Sequence, residues 1–116
     1  MRIGHSTDIH RLESGNRLII GGVLIPHYLG SVGHSDGDCL LHTVCECLIG
    51  ALALGDLGKL FPDTSEEFKG ISSSLLVKKV MSEVKKMKYR VVNIDSTVFL
   101  EEPKLSNYIL EMRANI

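Results

Sequence analysis

The sequence has no basic surplus, no apolar run long enough to cross a bilayer, and no Cys-x-x-Cys pair. With 13 Lys and Arg against 14 Asp and Glu, its formal net charge is −1. That balance argues against nucleic acid as the main partner, because DNA and RNA binders usually carry a basic excess. The longest apolar stretch, residues 48–54, is broken by Gly50, ends at Gly55, and is too short for a membrane span. Met1-Arg2-Ile3-Gly4-His5 lacks the apolar core of a signal peptide, so a cytoplasmic location is the default. The three cysteines, Cys39, Cys45 and Cys47, all fall in one helical stretch. A thiolate zinc site and a disulfide framework are both disfavoured, and all three read as small apolar core residues. No repeat, linker or low-complexity segment is visible. The 116 residues, 44% hydrophobic and 23% charged, suit one soluble domain spanning 1–116.

What is present centres on Gly33-His34-Ser35-Asp36-Gly37-Asp38, which runs into Cys39-Leu40-Leu41-His42-Thr43-Val44-Cys45-Glu46. Asp36 and Asp38 are helix-start residues, since a short carboxylate accepts the free amides of a first turn. From Leu40 the apolar positions recur at helical spacing through Leu41, Val44, Leu48, Ile49 and Leu52. Asp38, His42 and Glu46 stand four apart and share one face, each step turning by about 40°. His34 and Ser35 precede the helix, where free amides and the dipole favour an anion.

Residues 2–12 read as a strand. Ile3, His5, Thr7 and Ile9 face one way; Gly4, Ser6, Asp8 and His10 face the other. Residues 17–20 and 23–25 form a hairpin about Gly21-Gly22, and Pro26 ends it. His27 and Tyr28 are read as loop, with His27 at the surface. Residues 55–64 are a glycine- and proline-punctuated loop that offers amides to phosphate or simply caps and turns. Residues 72–88 are a second helix with Leu75, Leu76, Val80, Val84 and Met87 buried and its lysines solvated. Residues 89–100 alternate as a strand. A third helix starts at Pro103, with Leu105, Ile109, Met112 and Ile116 at helical spacing.

Asp8 and His10, two apart on extended chain, project side by side, and His42 adds a second imidazole. One carboxylate and two imidazoles suit zinc, and three protein ligands leave a fourth position for water or substrate. Spacing alone leaves the alternative open: a surface His10 and a satisfied, partly buried His42.

Gly4-His5-x-x-Asp8-x-His10-Arg11-Leu12, Gly33-His34-Ser35-Asp36-Gly37-Asp38-x-x-x-His42, Gly55-Asp56-Leu57-Gly58-x-x-Phe61-Pro62-Asp63-Thr64 and Pro103-Lys104 run in order through nearly the whole chain. Together they resemble the 2-C-methyl-D-erythritol 2,4-cyclodiphosphate synthase family of the non-mevalonate isoprenoid pathway. The resemblance implies an α+β fold, a mixed β-sheet with helices packed on one face, in a homotrimer with active sites between subunits. It implies cyclisation of 4-diphosphocytidyl-2-C-methyl-D-erythritol 2-phosphate with loss of CMP. Zinc would sit on Asp8, His10 and His42, and magnesium or manganese would accompany the diphosphate. His34 would be catalytic. Asp8, His10, His34 and Ser35 would meet the phosphates. Asp56, Leu57, Gly58, Phe61, Pro62, Asp63, Thr64 and Ser65 would hold the methylerythritol part, with Asp63 accepting from a hydroxyl. Leu100, Lys104 and Leu105 would flank the cytidine diphosphate, and Glu46 would orient a ligand histidine.

Ser6-Thr7 departs from the Gly-Phe often found there, outside the ligand set. Family chains continue past Ile116 through a Thr-Thr-x-Glu segment, and the apolar stripe of the last helix is still running, uncapped, at Ile116. The expectation is a C-terminally shortened synthase. A zinc-binding trimeric assembly without turnover is the alternative. A zinc hydrolase is disfavoured, because no Glu or His is evidently set aside as general base.

Overall fold

The Gly21-Gly22 pair makes a tight turn. Both glycines have positive φ, 59° and 75°, the geometry of a two-residue hairpin turn that side chains resist. The turn joins β2 (Leu18–Ile20) to β3 (Val23–Ile25), with Ile20 opposite Val23 and Leu18 opposite Ile25. A second antiparallel ladder pairs β1 (Leu12–Ser14) with β4 (Leu29–Ser31), Leu12 opposite Ser31. The computed structural model describes residues 1–62, 66 and 69–116.

Four helices follow: α1 (Cys39–Ala51), α2 (Leu57–Leu60), α3 (Ser73–Lys86) and α4 (Ile109–Asn115). Asp38 caps α1 as its residue type suggests, accepting from the Leu41 amide at 3.0 Å. Helix α1 joins two cores. Its Leu40 packs with Leu18, Ile20, Val23, Ile25 and Met112; its Cys45, Ile49 and the following Leu52 pack with Leu76, Val80 and Val84 of α3. Fully burying each Leu, Ile or Val stabilises by about 1.5–3 kcal/mol, so these two clusters fix where α1 lies.

Several expectations need correction. The described residues form two separate two-stranded antiparallel sheets in place of one mixed sheet. The α+β class holds: helices lie against small sheets. Residues 2–11 and 89–100 pair with no strand among the described residues. Residues 4–12 still alternate as read: Gly4, Ser6, Asp8 and His10 are half-buried, while His5, Thr7 and Ile9 are exposed. The inner face lies on α1, and a Cβ at Gly4 would fall 2.0 Å from the Cys47 carbonyl oxygen. What is missing is a partner strand, which alternation alone does not supply. Leu75 is exposed because it stands off the Leu76–Val80–Val84 stripe of α3, and Met87 is exposed as the C-cap residue just past the end of α3. Helix α4 begins at Ile109, six residues after Pro103, and buries only Met112. The short helix α2 lies in a stretch read as loop, and strand β4 follows the His27-Tyr28 loop where the sequence predicts no element.

Candidate functional site

Asp8, His10 and His42 converge. One ligand atom from each lies within 4.8 Å of the others. Asp8 Oδ2 is 2.8 Å from His10 Nε2 and 3.8 Å from His42 Nδ1, and the two rings meet edge to face at 5.2 Å. Different elements supply them: Asp8 and His10 come from the inner face of the extended N-terminal stretch, His42 from the first turn of α1. Cys39 ties these together, its thiol donating to the Asp8 carbonyl at 3.3 Å. Burial, with the neighbouring Asp8 and Asp38 carboxylates, pushes that thiol up to about 11, so it stays protonated and serves as a donor.

The hydrogen bonds behind the rings bear on whether a metal fits. His10 Nδ1 is 2.8 Å from the Gly37 carbonyl, which only accepts, so Nδ1 carries the proton. In a neutral ring this leaves a lone pair on Nε2, facing a carboxylate oxygen at 2.8 Å. Two lone pairs at that distance require a cation between or beside them, a proton or a metal ion. An imidazole fixed from behind by a protein oxygen is the usual support of a metal-ligating histidine. The donor set, one carboxylate and two imidazoles, therefore fits a divalent metal such as zinc.

The cluster lines a cavity of about 350 Å³. His34, Ser35, Glu46, Leu57, Gly58 and Phe61 line the same cavity, as do Thr7, Gly33, Ile71 and Leu76, which sequence reasoning did not single out. Ser35 Oγ lies 2.6 Å from His42 Nε2. Glu46 accepts from the Leu57 amide at 3.1 Å, so it holds the start of α2 to α1, a role the sequence did not suggest. Asp56 caps α2 through the Lys59 amide at 2.7 Å.

Asp36 and Asp38 divide the work of holding the loop between them. Asp38, with no exposed surface, accepts from the amides of Gly21 at 2.9 Å and Gly22 at 2.7 Å as well as from Leu41. Burial pushes its carboxyl above 3.8, against the pull of those three amides. Asp36 turns to another helix, accepting from the Ser73 amide at 3.0 Å and the Ser73 hydroxyl at 2.5 Å. The loop bearing His34 and Ser35 is thus pinned to both helices and to the hairpin.

Not every expected site residue is here. Leu100 and Leu105 pack, half-buried, against the hairpin cluster, and Lys104 is exposed; none of the three lines the cavity. Pro62 is exposed and also lies off it. Asp63, Thr64 and Ser65 lie outside the described residues.

Residues 1–116 match the YgbB family along their whole length. The chain belongs to the YgbB family. Among relatives in this family, it is 51% identical over 116 residues to the 2-C-methyl-D-erythritol 2,4-cyclodiphosphate synthase of Syntrophomonas wolfei subsp. wolfei. That match covers all of this chain and 74% of the relative. The synthase of the same name from Syntrophotalea carbinolica is also 51% identical, with 71% of its length covered. A solved 2C-methyl-D-erythritol-2,4-cyclodiphosphate synthase, described as a CDP-bound form, superposes with a TM-score of 0.92 at 35% identity, over 98% of this chain and 76% of that one. No described helix is long and apolar enough to cross a membrane.

Proposed function

We propose that this YgbB-family chain catalyses the metal-dependent cyclisation of 4-diphosphocytidyl-2-C-methyl-D-erythritol 2-phosphate to 2-C-methyl-D-erythritol 2,4-cyclodiphosphate, releasing CMP. An oxygen of the 2-phosphate attacks the β-phosphorus, and the bond from that phosphorus to the CMP oxygen breaks. The observation that carries this reading is the convergence of Asp8, His10 and His42 in one cavity with His34 and Ser35. The 51% identity to a protein named for this product supports it.

Phosphoryl transfer asks a protein mainly for positioning and for charge placed where negative charge develops. Asp8, His10 and His42 would hold a zinc ion. When bound, it supplies positive charge that polarises a phosphoryl oxygen. His34 and Ser35 border the same cavity on the loop before α1; both are assigned to phosphate oxygens, and His34 to the transition state. Asp56, Leu57, Gly58 and Phe61, with Pro62, Asp63, Thr64 and Ser65, take the methylerythritol part. Glu46 sets the position of this segment through Leu57. Magnesium or manganese enters with the substrate diphosphate.

Leu100, Lys104 and Leu105 are assigned to the cytidine diphosphate. Because they lie off this chain's cavity, the reading places them at a neighbouring subunit's site in a homotrimer. The exposed Ile3, Ile9, Val92 and Phe99, each more than four-fifths accessible, support self-association. The cytoplasm is the compartment proposed.

The test is CMP release from the diphosphocytidyl substrate with zinc and magnesium present, alongside sedimentation of the protein. Release at the rate of a protein-free control would overturn the catalytic reading. A monomer at assay concentration would overturn the shared site.

A further inference from the structure

Ser73 is a buried serine on a helix that supplies none of the cluster's ligands. It has no exposed surface. Its amide and its hydroxyl both go to Asp36, at 3.0 Å and 2.5 Å. Its Oγ also lies 3.5 Å from Ser35 Oγ, which in turn lies 2.6 Å from His42 Nε2. Asp36, Ser73, Ser35 and His42 therefore form one continuous line of polar atoms ending at the metal cluster.

The protons on that line can be counted. A carboxylate accepts only, and Asp36 already receives the Ser73 and Asp38 amides, so the Ser73 hydroxyl donates to it. Ser73 then has only lone pairs left for Ser35. If Ser35 donates to Ser73, it can accept at His42, and His42 Nε2 must carry the proton. Every link then holds one proton, all running one way: His42 to Ser35 to Ser73 to Asp36. If Ser35 instead donates to His42 Nε2, the contact between the serines holds no proton, and Nδ1–H faces Asp8. Along this line the first arrangement makes one more hydrogen bond, since in the second Nδ1–H would meet Asp8 Oδ2 only at 3.8 Å, beyond hydrogen-bond reach, while the serines lie 3.5 Å apart.

We propose that Ser73 and Asp36 are positioning residues for His42: through Ser35 they fix its ring as the Nε2–H tautomer and keep the Nδ1 lone pair turned to Asp8 and His10. This deepens the metal reading given above and rests on it for its purpose. His10 is set in the complementary sense, its Nδ1 proton held by Gly37 and its Nε2 facing Asp8. His42 would thus present its Nδ1 lone pair to the cluster before any ion arrives. One consequence concerns Ser35. With its hydroxyl committed to this line, the group it offers an anion is its backbone amide, which has no hydrogen-bond partner among the described residues.

The tautomer is measured directly in metal-free protein labelled with ¹⁵N-histidine, from two-bond ¹H–¹⁵N correlations. Zinc affinity is measured separately by chelator competition, for the wild type and Ser73→Ala. The expected results are an Nε2–H ring for His42 in the wild type, a mixed or reversed tautomer in Ser73→Ala, and about 10- to 100-fold weaker zinc binding in that variant. An Nδ1–H ring in the wild type overturns the proposal, as does a Ser73→Ala protein with unchanged tautomer and affinity. Should Ser73→Ala not fold, the wild-type spectrum alone decides. A wild type with the Nε2–H ring that binds no zinc defeats the metal reading and leaves the proton line standing.

Discussion

Asp8 Oδ2 faces His10 Nε2 at 2.8 Å while the other nitrogen of the same ring is held by the Gly37 carbonyl. The pair leaves His10 little freedom, and His42 closes the set from α1. His42→Ala should therefore remove most bound zinc, since a carboxylate and one imidazole make a poor site. Elemental analysis after dialysis checks this. Full zinc occupancy in the variant would show that the ion is held elsewhere.

His34 lines the same cavity but is outside the three-ligand cluster. His34→Ala should keep its zinc and lower turnover by about 10²-fold, the scale of one lost transition-state contact. If zinc left along with His34, the division between metal ligands and phosphate contacts would be wrong.

Asp38 gives a stability prediction. Asp38→Ala leaves the amides of Gly21, Gly22 and Leu41 without their acceptor in a fully buried place. The cost should be about 3 kcal/mol or more, since each buried unpaired group costs about 1–3 kcal/mol. Denaturant titration of both proteins measures it. A loss below about 1 kcal/mol, no more than an ordinary helix cap, would mean that the hairpin is not held to α1 by this carboxylate.

The parts legible in the sequence are those whose cause is local. Gly21-Gly22 specifies its own turn, Asp38 its own helix start, and Leu76, Val80 and Val84 their own buried stripe. Asp36 looks the same as Asp38 on paper, yet it serves a helix 37 residues onward. Nothing nearby in sequence distinguishes a carboxylate that caps its own helix from one that reaches another. The two alternating stretches fail for a related reason. Alternation reports that one face of residues 2–11 is covered, which α1 does, but says nothing of which strand, if any, lies beside it. Asp8, His10 and His42 were legible as donor types; the packing of Gly4 onto Cys47, with the Cys39 thiol on the Asp8 carbonyl, brings the first two over α1. Ser73 carried no mark at all, being one of three consecutive serines at a helix start.

The final prediction uses Cys45, which is wholly buried between α1 and α3. Burial first, then the charges of Glu46 and Asp38, push its thiol from 9.0 up to about 12. The folded chain therefore holds this proton to higher pH than the unfolded chain does. Stability from the neutral thiol is fully present below about 9 and is lost as pH rises toward 12. Cys45→Ala has no such group, so its stability carries no contribution from this titration. The wild-type advantage over Cys45→Ala should hold constant from pH 7 to 8.5, then shrink by up to about 1.4 kcal/mol per pH unit above 9. Paired denaturant titrations at pH 8 and pH 10 measure the difference. A gap that widened at pH 10 would mean that the folded protein stabilises the thiolate, and that Cys45 is not the inert core residue its place between the helices makes it.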